Sequence, residues 1–95
     1  MKLGFIGCGN MASAIIGGIL NKGLAQPEDI CASVKTQSSA QKIQNTLGIS
    51  CTTDNLEVAK TADYLFLAVK PQFCTDVALQ IKDVLTDKQV IISVI

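Results

Sequence analysis

Residues Lys2 to Gly23, KLGFIGCGNMASAIIGGILNKG, compress a short apolar strand, a glycine turn and an apolar helix into one unit. Leu3, Phe5 and Ile6 supply the strand. Gly7-Cys8-Gly9-Asn10-Met11-Ala12 then fits G-x-G-x-x-G/A, the fingerprint of a turn that holds a dinucleotide. Gly7 allows the tight bend, and Gly9, lacking a Cβ, lets the backbone come close to a pyrophosphate. Ala12 keeps the helix near its strand. The N–H groups at the helix start and the positive end of its dipole then face two phosphate charges. A strand-to-helix turn with no ligand is the bland alternative.

The rest of the chain repeats this rhythm. A strand over about 2–6 leads into a helix over about 10–22, stopped by Gly23. Met11, Ala12, Ile15, Ile16, Ile19 and Leu20 form a stripe at helical spacing. Gly17 and Gly18 in mid-helix predict a closely packed neighbour, since each costs about 1 kcal/mol relative to Ala. A turn at Gln26–Asp29 precedes a strand near 30–34. Ser38 and Ser39 offer caps for a second helix, with Ala40, Ile43 and Leu47 facing inward and Gly48 ending it. A weak strand at about 49–52 follows, and Thr53 or Asp54 caps a short helix ending near Lys60.

Asp63 to Val69, DYLFLAV, has the unbroken apolar character of a strand buried on both faces. Pro71 suits the first turn of the next helix, which runs to about Leu85 with Phe73, Val77, Ile81, Val84 and Leu85 on one face. A last strand covers 90–95. Alternating strands and helices require right-handed crossovers and a parallel sheet. The expected fold class is therefore α/β: a doubly wound, Rossmann-type parallel sheet of order 3-2-1-4-5, with its ligand crevice between strands 1 and 4.

Bulk properties exclude several other classes. The 95 residues suffice for one domain, and 48% hydrophobic content provides a core. Eight basic and eight acidic residues cancel, and one Tyr with three Phe leaves little to stack bases on, so nucleic acid is not an expected partner. The longest apolar runs are about seven residues, far short of a membrane span. The chain opens directly on a strand, which predicts a cytoplasmic protein without a targeting segment. Cys8, Cys31, Cys51 and Cys74 are spread with no C-x-x-C pair, and histidine is absent, so no metal site is expected. Cys31 and Cys51 are expected to be buried small hydrophobes. Cys8 is read as a passive spacer, with a thiol pKa lowered by the helix start as the competing possibility.

A dinucleotide site that prefers NAD places an acid at the end of strand 2 to take the ribose hydroxyls. No Asp or Glu occurs from Ile30 through Thr53. Ser33, Val34, Lys35 and Thr36 instead offer hydroxyls and one cation for a 2′-phosphate, so NADP is expected over NAD. Ala68, Val69, Lys70 and Pro71 at the tip of strand 4 are expected to approach the nicotinamide ribose. Asn55 is either an ordinary first-turn residue or a contact to the adenine side.

The opening FIGCGNMASAIIGGIL, Asn55 within T-D-N, LAVKPQ at 67–72 and the closing VIISVI resemble the N-terminal domain of the pyrroline-5-carboxylate reductase family. The resemblance runs the whole length of this chain and covers about a third of the family's usual chain. It implies NAD(P)H-dependent reduction of 1-pyrroline-5-carboxylate to proline, the last step of proline synthesis. It also implies cofactor contacts at Ile6, Gly7, Cys8, Gly9, Asn10 and Met11, at the end of strand 2, at Asn55 and from Ala68 to Pro71. The family often carries Asn-Arg where this chain has Val34-Lys35, a point charge in place of a planar fork. Substrate-binding and proton-donating groups, and the interface of a homo-oligomer, belong in the family to a helical C-terminal domain. The chain is accordingly expected to be a cofactor-binding piece of a longer two-domain protein, carrying no catalytic residue and inactive alone. A 3-hydroxyacid or ketopantoate-type dehydrogenase domain and a non-catalytic dinucleotide-sensing module are the alternatives.

Overall fold

A computed structural model describes residues 1–94. Within these residues five parallel strands form one sheet in the order β3-β2-β1-β4-β5. In chain order they are β1 (Leu3–Ile6), β2 (Ile30–Ser33), β3 (Ser50–Thr52), β4 (Tyr64–Leu67) and β5 (Val90–Ser93). The helices are α1 (Asn10–Asn21), α2 (Gln37–Leu47), α3 (Asn55–Thr61) and α4 (Cys74–Ile81), the last preceded and followed by 3-10 turns. The order predicted from the sequence is the order observed.

β1 is central because each of its residues faces a buried layer. Leu3 and Phe5 point to one side, into a core with Ala12 and Ile16 of α1, Ala40 of α2, and Ile30 and Ala32 of β2. Gly4 and Ile6 point to the other, where Ile6 meets Val58 and Ala59 of α3, Leu65 of β4, and Val77 and Ile81 of α4. Alternation along a strand separates these two layers. Phe5 pairs in register with Phe66, and their rings stack with centroids 4.4 Å apart. A Cβ at Gly4 would lie 2.7 Å from that of Ala62 and 2.8 Å from Val58 Cγ1, so α3 packs directly on the bare backbone of β1.

Local chemistry sets the element ends. In α1 a Schellman arrangement closes the helix: Gly23 N–H donates to Leu20 O and Leu24 N–H to Ile19 O. Thr36, not Ser38 or Ser39, caps α2; its Oγ1 accepts from Ser39 N–H at 3.2 Å. The helix begins earlier than its apolar periodicity shows because Gln37 and Ser38 form an exposed first turn. Asp54 caps α3 by accepting from Leu56 N–H at 3.0 Å. Gln89 then donates to the carbonyls of both Ala59 and Ala62, tying the approach to β5 to the exit of α3.

Several sequence expectations require correction. Among the described residues nothing lies within 4 Å of a Cβ added at Gly17 or Gly18, so no tight neighbour there explains them. Met11 belongs to the predicted apolar stripe but is 62% exposed, because the face toward the sheet is that of Ala12 and Ile16. β4 is shorter than the run 63–69 and is not buried on both faces: Leu65 is fully buried, whereas Tyr64 is exposed and Phe66 and Leu67 are half-buried. Cys51 is buried but Cys31 only half-buried. β5 ends at Ser93, and the last residue of the predicted 90–95 strand lies outside the described residues.

Candidate functional site

The tips of β1, β2 and β4 end on a cleft of about 800 Å³. Each tip is tied to its neighbour by one bond beyond the strands. Gly7 N–H donates to Ser33 O at 2.8 Å, Ala68 N–H to Ile6 O at 2.9 Å, and Val34 N–H to Thr52 O at 2.9 Å. The turn after β1 is therefore held from both sides. Gly7 has φ +89°, and a Cβ there would meet the backbone oxygen of Ala68 at 2.7 Å. Gly9 differs: among the described residues an added Cβ would meet nothing within 4 Å, which leaves room for a ligand against the backbone. Gly9 is the N-cap of α1, supplies no side-chain cap, and no acid lies in the first turn. The first amides of a helix have no intrahelical acceptors, so this end suits an anion.

The cleft gathers most of the residues singled out from the sequence. Ile6, Gly7, Cys8 and Gly9 line it on one side, Ser33, Val34 and Lys35 at the end of β2, Asn55 at the start of α3, and Ala68, Val69 and Lys70 beyond β4. Asn10, Met11, Ala12 and Pro71 are not among its lining residues. Ala12 is buried between α1 and the sheet, and Asn10, Met11 and Pro71 are exposed. The structure adds Ser39, Thr53, Phe73, Asp76, Val77 and Gln80 to the walls. Phe73 was expected on the inner face of the last helix. It shares that face with Val77, and both reach the cleft; the ring sits on a 3-10 turn over Pro71–Phe73 with its centroid 3.5 Å from Lys35 Nζ.

Asn55 is more than a first-turn residue. Its Oδ1 accepts from the Ser33 hydroxyl at 2.6 Å, and its Nδ2 donates to Gln80 Oε1 at 3.0 Å. Ser33 is fully buried, so this bond satisfies a hydroxyl with no access to water. The chain Ser33–Asn55–Gln80 joins the tip of β2 to α3 and α4 along the cleft.

The residues fit a phosphorylated dinucleotide: an open glycine, an uncapped helix start, and a β2 tip with a lysine where a carboxylate would oppose phosphate. The sequence model of the family described as NADP oxidoreductase, coenzyme F420-dependent, matches residues 2–95. The chain belongs to that family. Within this NADP oxidoreductase family, it is 39% identical over 93 residues to a pyrroline-5-carboxylate reductase of Methanosarcina acetivorans, covering 98% of this chain and 34% of that one. Among solved structures it is similar to a pyrroline-5-carboxylate reductase from Coxiella burnetii, with TM-score 0.89 and 33% identity over 98% of this chain and 34% of that one. It is also similar to a Plasmodium falciparum pyrroline carboxylate reductase with NADP bound: TM-score 0.82, 31% identity, 98% and 32% coverage. This family member thus spans about a third of the length of these relatives.

Cys8 sits in the turn, and its thiol is 3.6 Å from the Ser13 hydroxyl. Burial pushes its pKa up, against the lowering effect of that contact. A thiol kept protonated at neutral pH is a spacer rather than a nucleophile. Among the described residues, no group of three or more His, Cys, Asp or Glu is placed to hold a metal ion, and no helix is long and apolar enough to cross a membrane.

Proposed function

We propose that this chain is the cofactor-binding domain of an NADPH-dependent reductase converting 1-pyrroline-5-carboxylate to proline in the cytoplasm. The observation that carries this reading is the pairing, across one cleft, of the open space at Gly9 with a β2 tip of Ser33, Val34 and Lys35 that bears no carboxylate. The amides around Gly9 and the start of α1 hold the diphosphate. Val34 and Lys35 take the 2′-phosphorylated ribose above the buried Ser33, whose hydroxyl is held by Asn55; Asn55 lies on the adenine side, and Ala68, Val69 and Lys70 approach the nicotinamide ribose. Asn10, Met11 and Pro71 flank these contacts, and Ala12 sets the distance of α1 from the sheet.

When bound, NADPH supplies the hydride for the imine carbon. This chain contributes binding and alignment. The substrate pocket, the proton donor for the imine nitrogen and the interface of a homo-oligomer belong, in this reading, to sequence corresponding to the other two thirds of the relatives. NADPH fluorescence titration tests it. The chain binds NADPH in preference to NADH, and Lys35→Asp lowers the ratio of the two affinities by about tenfold, the worth of a charge-assisted hydrogen bond. The same preparation shows no reduction of 1-pyrroline-5-carboxylate. Absence of NADPH binding, or measurable turnover by residues 1–95 alone, overturns the reading.

A further inference from the structure

The Lys35 ammonium lies 3.5 Å from the centroid of the Phe73 ring. The two residues come from opposite banks of the cleft. Lys35 follows the tip of β2, whereas Phe73 closes the turn that leads from β4 into α4. Lys35 is exposed, and a free lysine head on its four-carbon stem samples many rotamers that must be given up when it meets a ligand. The face of an aromatic ring holds such a cation without neutralising it. Asp76 lines the same cleft, and a lysine head paired with that carboxylate would have its charge cancelled before any phosphate arrived.

The geometry points to Phe73 as a specificity-determining positioning residue: its ring holds the Lys35 ammonium at the β2 end of the cleft, so that a 2′-phosphate meets a cation already in place. This rests on the reading that the cleft takes a 2′-phosphorylated dinucleotide. The ring acts through Lys35 and needs no contact with the phosphate itself. It therefore affects the choice between phosphorylated and unphosphorylated ligands rather than affinity for both.

Calorimetric titration with 2′,5′-ADP and 5′-AMP isolates this end of the cleft, because the two probes differ only by the phosphate. Phe73→Leu lowers the ratio of 2′,5′-ADP to 5′-AMP affinity about 2- to 5-fold, the span of a cation–ring contact at an exposed site. Phe73→Tyr keeps the wild-type ratio, and Lys35→Met lowers it further than Phe73→Leu. The upfield ring-current shift of the Lys35 Hε resonances is present in the wild type and lost in Phe73→Leu. Phe73 is only half-buried, and thermal melts verify that its variants fold. Equal weakening of both probes in Phe73→Leu overturns the proposal by making the ring an adenine platform. An unchanged ratio in Phe73→Leu, with a lowered one in Lys35→Met, overturns it by leaving the ring no part. If Lys35→Met also leaves the ratio unchanged, the failure lies one step earlier, in the phosphate site of the proposed function.

Discussion

A Cβ placed on Gly7 would stand 2.7 Å from the carbonyl oxygen of Ala68. That oxygen belongs to the backbone just beyond β4 and cannot swing away as a side chain could. Gly7 also has φ +89°, a conformation that L residues rarely adopt.

Gly7→Ala is therefore expected to destabilise the fold itself. Strain of about 1–3 kcal/mol lowers the melting temperature by roughly 4–8 °C per kcal/mol for a domain of this size. Thermal denaturation followed by circular dichroism measures it.

Gly9 gives the opposite outcome. Its φ of −82° and ψ of −161° suit any residue, and a Cβ there meets no atom of the described residues within 4 Å. Gly9→Val is expected to cost only about 1 kcal/mol of stability, that of a poor N-cap residue, while losing NADPH binding because the branched side chain fills the space of the ligand. Melting and titration of one preparation separate the two effects.

The Ser33–Asn55 bond gives a third prediction. Asn55→Leu leaves the fully buried Ser33 hydroxyl without its acceptor, at a cost of about 1–3 kcal/mol. Adding Ser33→Ala removes the orphaned group and recovers part of that loss. A double-mutant cycle by urea denaturation reads the coupling directly.

The fourth concerns alkaline pH. Burial pushes the Cys51 thiol from 9.0 up to about 11, and burial also raises Cys8 and Cys31. The native state thus favours the protonated thiols, and the unfolded chain ionises first. This contribution to stability is complete below pH 9 and falls as the pH rises toward 11. The urea midpoint is expected to drop across that window, less steeply in Cys51→Ala.

The strand order, the glycine turn, the stop at Gly48 and a cap at Thr53 or Asp54 were legible in the sequence because each rests on a local signal: apolar periodicity, a turn residue, a capping oxygen. The long-range consequences of those signals were not. Nothing around Gly4 in the sequence shows that Ala62 and Val58 crowd its α-carbon, since that contact joins residues more than fifty positions apart. Phe73 fits the apolar face of α4 by spacing, but spacing does not show that the start of this face opens on the cleft and meets Lys35. Asn55 could be assigned to a helix start from T-D-N, but its link to Ser33 and Gln80 required the strands and helices to be assembled. Exposed polar residues, such as Ser39 at the start of α2 and Thr53 before α3, carry no pattern that distinguishes a cleft wall from open surface.

β1 spans four residues, yet it feeds side chains to hydrophobic layers above and below the sheet. Sliding it by a single position would exchange Phe5 for Gly4 or Ile6 on each side and spoil both at once. Since Gly7 directly continues that strand, the turn is indexed by the same lock. The precision with which this protein can present its amides to an anion is thus borrowed from its oil-filled interior, and a conservative resizing of Phe5 or Ile6 would be felt as misalignment at the far end of the strand.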